Sequence, residues 1–272
     1  MTTLGFIGAG NMAGAIVRGA VAAGADPKDL VLTDVNPDAA ARLATELGVR
    51  AVASNLDVVE LCDAVVLAVK PQVLSAVLAE VRESLAERRP LLVSIAAGQT
   101  LEKLGRMLPP GLAVIRVMPN VNAMVSAGMA AVCGNAHATA DQVGLVVDLF
   151  RGVGQVIELP EKDFSTFTAV ASSGPAFVFT FIEALARAAL KHGVPKPLAV
   201  RIATQTVLGS AQLLLARAED GVTPADLVDM VSSPGGTTVA GLVAAEEAGF
   251  SPAVVRAVEA TIARDKELGA LA

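Results

Sequence analysis

Two glycine-rich segments, more than 200 residues apart, carry the residue types in this chain best suited to chemistry. The first is Gly8-Ala9-Gly10-Asn11-Met12-Ala13, and the second is Ser232-Ser233-Pro234-Gly235-Gly236-Thr237-Thr238. The first has the spacing of a loop that binds dinucleotide phosphates. The second suits a small anion, because glycines let successive backbone N–H groups converge on one ligand. Together they predict a two-domain reductase with a nicotinamide cofactor and an anionic substrate.

The N-terminal glycine loop lies between a predicted strand, Leu4–Ile7, and a predicted helix, which is the context that a dinucleotide fingerprint requires. Gly8 permits the tight turn, and Gly10 removes a side chain where the pyrophosphate approaches. Asn11 and Met12 begin the helix, whose free N–H groups and positive dipole end favour phosphate. The alternative is a plain glycine turn with no ligand.

An acidic residue, Asp34, ends the second predicted strand, 26 residues after Gly8. A carboxylate at this position accepts hydrogen bonds from a ribose 2′-hydroxyl and repels a 2′-phosphate. Taken alone, Asp34 favours NADH over NADPH as the cofactor. In the alternative interpretation, Asp34 points away from the ribose or caps the helix that follows Pro37.

Two further segments end predicted strands at the same edge of the sheet: Val69-Lys70-Pro71 and Ser94-Ile95-Ala96-Ala97-Gly98. Ligands of open α/β sheets bind outside the carboxyl ends of the strands. The small side chains there leave room for a flat nicotinamide ring. Two interpretations of Lys70 remain open: contact with cofactor or substrate carboxylate, and a solvated loop lysine.

The downstream segment predicts a turn at Pro234-Gly235-Gly236 and a helix that begins at Thr237 and Thr238. The glycines form an anion-binding nest, to which the helix dipole adds a modest favourable contribution. A threonine hydroxyl beside the nest can bond a second polar atom of the same ligand. A threonine N-cap needs no ligand, and for this segment alone it is the stronger interpretation.

Strand and helix patterns alternate up to about residue 160. Uninterrupted apolar strands such as Ala64–Leu67 are typical of parallel sheets that are covered on both faces. Strands are predicted over residues 4–7, 30–33, 49–52, 64–69, 91–95, 113–117, 129–133 and 156–159, and helices over 11–23, 37–47, 72–86, 100–107 and 139–151. This alternation predicts an α/β fold with a Rossmann-type, doubly wound sheet in a dinucleotide-binding domain of residues 1–160.

After Pro160 the strand patterns stop. Helices are predicted over residues 176–192, 198–217, 224–230, 239–248 and 252–268. Proline and glycine separate these helices. Residues 161–272 are therefore predicted to form a second, all-helical domain.

The composition limits the classes of partner. Hydrophobic residues make up 53 % and aromatic residues 3 %, with no Trp or Tyr, so Val, Leu, Ile and Ala must build the core. The abundance of Ala and Val in the helical half favours apolar surface buried between subunits. A net charge of −6 without a basic run argues against nucleic acid as a partner.

Membrane and metal partners are not expected either. No uninterrupted apolar run reaches the roughly 18 residues of a membrane span, and no positive segment precedes the N-terminal apolar stretch. The chain is therefore expected to be cytoplasmic and to have no membrane partner. Cys62 and Cys133 lie in apolar stretches and are expected to be buried and reduced. With only two histidines, no metal site is predicted.

The chain resembles the pyrroline-5-carboxylate reductases along nearly its whole length. Six blocks in the family's order carry this resemblance, of which Asp229 to Thr238 is the most specific. The other five are Phe6 to Ala13, Ala68-Val69-Lys70-Pro71, Ser94 to Gly98, Arg116-Val117-Met118-Pro119-Asn120 and Ser173-Gly174-Pro175-Ala176.

The resemblance implies the last step of proline biosynthesis, in which hydride from NADPH or NADH reduces the C=N bond of 1-pyrroline-5-carboxylate to give L-proline. It implies a Rossmann domain followed by a helical dimerisation and substrate-binding domain. The helical domains of two chains interleave in the family, and rings of dimers occur, so the resemblance allows a decamer as well as a dimer. The substrate loop is expected to meet the cofactor crevice of the partner chain.

The resemblance also implies residue roles. Thr238 matches the catalytic threonine that hydrogen-bonds the imine nitrogen. The loop that binds the substrate carboxylate is matched by Ser233, Gly235, Gly236 and Thr237. Asn55, 15 residues before Lys70, stands where the family has a cofactor contact. The nicotinamide side of the pocket is matched by Ala68, Lys70, Pro71, Ala96 and Ala97.

Two departures from the family pattern bear on these expectations. The family usually reads Met-Pro-Asn-Thr-Pro, whereas Val121-Asn122 follows Asn120 here, so substrate fit is expected to differ. Many relatives carry Ser, Thr or Arg near Asp34 and favour NADPH. Asp34 therefore leaves the choice between NADH and NADPH open.

Two other functions are alternatives to this interpretation. A β-hydroxyacid dehydrogenase needs a lysine general base on the first long helix of the helical domain. Lys191 is the only lysine near that helix and lies at its C-terminal end, beside His192. A dinucleotide-binding redox sensor without chemistry would not need the Gly235-Gly236-Thr237-Thr238 loop.

Overall fold

An eight-stranded sheet organises the N-terminal part of the chain, in the strand order β3-β2-β1-β4-β5-β6-β7-β8. The strands are β1 (Leu4–Ile7), β2 (Leu30–Thr33), β3 (Arg50–Ala51), β4 (Ala64–Leu67), β5 (Leu91–Ser94), β6 (Val114–Met118), β7 (Gly128–Gly134) and β8 (Gly154–Glu158). All neighbouring strands pair in parallel except β6 and β7, which are antiparallel. The computed structural model describes residues 2–271.

Helices cover both faces of this sheet. They are α1 (Asn11–Ala22), α2 (Pro37–Leu47), α3 (Asn55–Leu61), α4 (Pro71–Glu80), α5 (Arg82–Arg88), α6 (Leu101–Met107), α7 (Ala140–Arg151) and α8 (Phe164–Phe167). Phe6 packs into the cluster on one face, whereas the next residue, Ile7, packs into the cluster on the other. Burying a side chain of this size contributes about 1.5–3 kcal/mol, so both layers stabilise the sheet. The predicted Rossmann-type sheet is confirmed.

Three local predictions need correction. The helix predicted over residues 72–86 is two helices, α4 and α5, which meet at Val81. The strand predicted over residues 49–52 is confined to Arg50–Ala51 at the sheet edge. Cys62 is buried as expected, but Cys133 is partly exposed at the end of β7, where the last two residues of the strand are only partly buried.

An ion pair between a buried arginine and a partly buried glutamate joins the segment after β8 to the sheet. Arg116 on β6 is 3 % exposed, and its Nη1 lies 2.9 Å from Oε1 of Glu161. The guanidinium also lies 4.6 Å from the ring centroid of Phe164. The same Glu161 oxygen accepts a hydrogen bond from the backbone N–H of Leu101, so one carboxylate holds β6 and the start of α6 together.

The remaining helices are α9 (Gly174–Lys191), α10 (Lys196–Ala216), α11 (Pro224–Met230), α12 (Thr237–Glu247) and α13 (Phe250–Leu271). The chain divides into two compact units, one of Met1–Ser173 with Thr261–Ala272 and one of Gly174–Ala260. The second unit is helical throughout. The predicted domain boundary near residue 160 stays a prediction.

Two helical stretches are long and apolar enough, by length and composition, to cross a membrane: Glu161–Lys191 and Lys196–Ala216, with mean hydropathies of 1.5 and 1.3. Mean hydropathy and uninterrupted apolar runs are different criteria, because isolated polar residues interrupt a run without lowering the mean much. The absence of a membrane partner stays a prediction. Only 17 % and 11 % of the two apolar windows are buried within the chain. Large side chains such as Phe179 and Ile202 are accordingly exposed.

Candidate active site

The glycine loop after β1 is shaped for close approach of a ligand to the backbone. Gly8 has φ of +106°, and a Cβ there would lie 2.6 Å from the carbonyl oxygen of Ala68. Its N–H donates to the carbonyl of Thr33 at 2.8 Å, which joins the loop to the end of β2. Gly10 is the N-cap of α1 and makes no side-chain cap, and nothing lies within 4 Å of the Cβ it lacks. The start of α1 thus presents uncapped N–H groups to open space, which fits a pyrophosphate.

Asp34 is bonded to this loop. Its Oδ2 accepts a hydrogen bond from the N–H of Ala9 at 2.7 Å, and its Oδ1 accepts one from Asn36 at 2.8 Å. Asp34 therefore does not cap the following helix. That cap is Asn36, whose side chain accepts from the N–H of Asp38.

A cleft of about 430 Å³ brings three of the predicted cofactor residues together. Gly8 enters it from β1, Asp34 from the end of β2, and Asn55 from the start of α3. Ser54 caps α3 in a capping box with Asp57, which fixes where Asn55 stands. The cleft lies at the carboxyl ends of β1, β2 and β4, as the ligand crevice of an open α/β sheet should.

The other predicted cofactor residues lie around the loop but do not line this cleft. Lys70 is exposed and stands at the N-cap of α4, with Pro71 as the first residue of that helix. Asn11 lines a separate cavity of about 230 Å³. Met12 and Ala68 are partly buried against the core. Ala97 is exposed, whereas Ala96 is 3 % exposed and packs in the core, so its side chain is not free for a ligand.

Glu80 is a cleft residue that sequence reasoning missed. It is the last residue of α4, and its Oε2 accepts a hydrogen bond from Nδ2 of Asn55 at 2.8 Å. A single exposed glutamate at a helix end carries no sequence pattern. Only the packing of α3 and α4 places it in the cleft.

The second glycine segment forms a tight turn before α12. The N–H of Gly236 donates to the carbonyl of Ser233 at 2.9 Å, and Gly235 has φ of +69°. The N-cap is Gly236 itself, without a side-chain cap. The alternative of a threonine N-cap is therefore wrong, and Thr237 and Thr238 form the first turn with their side chains exposed.

This loop offers what a small carboxylate requires. The first N–H groups of α12 are not capped by any side chain, and the helix dipole favours an anion there. Gly235 has a left-handed φ of +69°, which glycine adopts without strain, and a Cβ on Gly236 would lie 2.3 Å from Oγ of Ser233, so that side chain would have to move. The loop belongs to the Gly174–Ala260 unit.

Thiol and metal chemistry receive little support. Burial raises the pKa of the Cys62 thiol to about 12 and also raises that of Cys133. The thiolate is the reactive form, so both groups are held in the less reactive state. Across residues 2–271, no group of three or more His, Cys, Asp and Glu side chains is placed to hold a metal ion.

A parallel α/β sheet with an uncapped glycine loop, followed by a helical unit, defines a class of protein: the two-domain, dinucleotide-dependent oxidoreductases. Family models divide the chain in a similar way. Residues 3–98 match the model for NADP oxidoreductase, coenzyme F420-dependent, and residues 161–268 match that for pyrroline-5-carboxylate reductase dimerisation.

Individual relatives agree over the full length. The pyrroline-5-carboxylate reductase of Escherichia coli is 40 % identical and covers 97 % of both chains. The solved structure of a pyrroline-5-carboxylate reductase from Coxiella burnetii superposes with a TM-score of 0.92 at 34 % identity, covering 98 % of both chains. The Plasmodium falciparum pyrroline carboxylate reductase structure with NADP bound superposes with a TM-score of 0.86 at 31 % identity, again covering 98 % of both chains.

This chain belongs to the pyrroline-5-carboxylate reductase family. It is an oxidoreductase that uses NAD(P)H, and its dimerisation domain supports assembly into an oligomer. The exposed apolar side chains of α9 and α10 are consistent with that assembly, because large apolar patches mark interaction surfaces.

Proposed function

We propose that this chain transfers a hydride from NADPH or NADH to the C=N bond of 1-pyrroline-5-carboxylate, giving L-proline in the last step of proline biosynthesis. The observation that carries the proposal is the uncapped start of α12 behind the Pro234–Gly236 turn. It offers N–H groups to a carboxylate, with the hydroxyl of Thr238 beside them. The family membership points to the same substrate.

The substrate is held at its two polar ends. The N–H groups at Gly235, Gly236 and Thr237, with the Ser233 hydroxyl, bind the carboxylate. The Thr238 hydroxyl hydrogen-bonds the ring nitrogen and orients the C=N carbon for attack. An imine that is already protonated needs no strong general acid, which agrees with the lack of a histidine in this loop.

The N-terminal unit supplies the cofactor site. Gly8, Gly10, Asn11 and Met12 bind the pyrophosphate at the start of α1. Asp34 and Asn55 face the adenosine ribose in the cleft of about 430 Å³. The nicotinamide side is assigned to Ala68, Lys70, Pro71, Ala96 and Ala97, with Ala96 contributing backbone alone because its side chain is buried. The bound cofactor supplies the hydride.

The proposal extends to organisation and partners. Residues 1–160 are the dinucleotide-binding domain, and residues 161–272 are the helical domain for dimerisation and substrate binding. The oligomer is a homodimer formed through the helical domain, and a decamer is the proposed ring of dimers. The chain is proposed to act in the cytoplasm, without nucleic-acid or membrane partners.

The test is oxidation of NADH and NADPH, followed in parallel, with 1-pyrroline-5-carboxylate as substrate. Turnover that depends on the imine supports the proposal. Turnover with 3-hydroxy acids and oxidised cofactor instead would favour a dehydrogenase. Cofactor binding without turnover of either substrate would favour a sensor.

A further inference from the structure

Glu80 holds the amide of Asn55 in a defined orientation at the cofactor cleft. The Nδ2 of Asn55 donates to Oε2 of Glu80 at 2.8 Å. Both side chains line the same cleft as Gly8 and Asp34. The carboxylate engages one of the two N–H groups of the amide and so fixes its orientation, which leaves Oδ1 and the second N–H for other partners.

The cleft therefore offers acceptors to the adenosine ribose. The carboxylates of Asp34 and Glu80 accept hydrogen bonds only, and the Oδ1 of Asn55 is a further acceptor. None of the residues described as lining the cleft is basic. Val35, directly after Asp34, is fully exposed, and its side chain brings no hydrogen-bond donor.

The two cofactors differ at the group that would meet these acceptors. A ribose 2′-hydroxyl can donate to a carboxylate or an amide oxygen. A 2′-phosphate cannot donate in this way when ionised, and it needs cations or N–H groups. Two carboxylates near it would add like-charge repulsion.

We propose that Glu80 is a specificity-determining residue, which makes this cleft prefer NADH to NADPH through its own charge and by positioning Asn55. The proposal rests on the proposed function in one respect, that the cleft holds the cofactor's adenosine ribose. Glu80 acts beside Asp34, and its effect is separable from that of Asp34 by substitution.

Two substitutions separate the effect of the Glu80 charge from that of its hydrogen bond to Asn55. Glu80→Gln removes the charge but keeps an oxygen that can accept from Asn55. Glu80→Ala removes both and frees the Asn55 NH₂ group to turn toward a phosphate. Because Glu80 is exposed at a helix end, neither change opens a cavity in the core. The matched control is Glu83→Gln, which makes the same charge change on α5, away from the cleft.

The readout is the Kd for NADH and for NADPH, measured by calorimetry without substrate. The wild type is expected to bind NADH more tightly. Glu80→Gln should lower the ratio of the NADPH Kd to the NADH Kd by about two- to fivefold, the range of an exposed charge contact. Glu80→Ala should lower it further, and Glu83→Gln should leave it unchanged. The effect of Glu80→Gln should shrink at high salt.

A wild type that binds NADPH more tightly would overturn the proposal. So would an unchanged ratio in both Glu80 variants, or an equal change for the two cofactors, which would indicate a purely structural role. Binding with the expected ratios but without reduction of 1-pyrroline-5-carboxylate would contradict the proposed function and leave the role of Glu80 supported. If neither cofactor binds the folded wild type, both proposals fail.

Discussion

The Asp34 carboxylate accepts a hydrogen bond from the backbone N–H of Ala9 at 2.7 Å, so the acid after β2 is part of the glycine loop after β1. Sequence reasoning treats the loop and the acid as two separate determinants of cofactor binding. In the fold they are one unit. A substitution of Asp34 therefore changes both the charge beside the ribose and the support of the loop.

Replacing Asp34 should shift the cofactor preference toward NADPH. Asp34→Ser removes the carboxylate that repels a 2′-phosphate. The ratio of kcat/KM for NADPH to that for NADH should rise about tenfold, which corresponds to about 1.4 kcal/mol. Asp34→Asn is the matched control for loop support, because its amide oxygen can still accept from Ala9. If the ratio stays at the wild-type value in both variants, Asp34 does not face the ribose.

Replacing the two loop glycines by alanine should have different effects: Gly8→Ala on stability and Gly10→Ala on cofactor binding. Gly8→Ala should lower the free energy of unfolding by about 2 kcal/mol or more, because of its positive φ and the backbone contact at 2.6 Å. Gly10→Ala should keep its melting temperature, since its Cβ meets nothing within 4 Å. It should still weaken NADH binding about tenfold, because the Cβ fills the space of the pyrophosphate.

Melting curves and calorimetric titrations separate these two outcomes. A Gly10→Ala protein that melts normally and binds NADH like the wild type would show that the pyrophosphate does not approach α1. A Gly8→Ala protein of unchanged stability would contradict the backbone geometry described for the loop.

Removing the Thr238 hydroxyl should affect turnover more than cofactor binding. Thr238→Ala should lower kcat about ten- to hundredfold while the Kd for NADH stays near its wild-type value. Thr238→Ser retains the hydroxyl and should recover most of the activity. An equal loss of cofactor affinity, or equal activity of the two variants, would speak against contact with the imine nitrogen.

The two cysteines should react at different rates. Burial, with a smaller contribution from Asp63, raises the pKa of Cys62 to about 12, whereas Cys133 is partly exposed. Iodoacetamide at about pH 8 should therefore modify Cys133 first and reach Cys62 only on unfolding. Mass spectrometry of peptides reads both sites, and a Cys133→Ser variant should remove the fast phase. Rapid labelling of Cys62 in folded protein would contradict its burial.

The raised pKa of Cys62 also makes the free energy of unfolding depend on pH. An unfolded thiol loses its proton near pH 9.0, whereas native Cys62 keeps it to about pH 12. Over that interval the unfolded state binds fewer protons than the native state, so this contribution to stability falls as the pH rises. A Cys62→Ala variant should lack this contribution when the free energy of unfolding is compared across the interval.

Much of the sheet is readable from the sequence because its first strands are short and almost entirely apolar. Leu4–Ile7 and Leu30–Thr33 have the predicted bounds, and Pro37–Leu47 ends at Gly48, whose left-handed conformation stops the helix. The helix α3 was not predicted, although α6 and α11, which are also seven residues long, were. Its capping box, Ser54 with Asp57, was the one local signal for it.

The glycine turns of the candidate site could be predicted from the sequence, whereas the contacts between distant elements could not. A turn that favours glycine leaves a mark on the sequence, as at Gly8 and Gly235, which both have positive φ. Contacts between distant elements leave none. The bonds of Asp34 to Ala9 and of Asn55 to Glu80 join residues 25 positions apart, and they exist only once the sheet and its helices are packed.

The most direct test of the proposed reaction follows the hydride itself. Nicotinamide cofactor that carries deuterium on the transferable face of C4 is incubated with the enzyme and 1-pyrroline-5-carboxylate, and the product is analysed by mass spectrometry and NMR. The expected product is L-proline with a single deuterium at C5, the former C=N carbon. Unlabelled proline, or oxidation of the cofactor without proline, would contradict it.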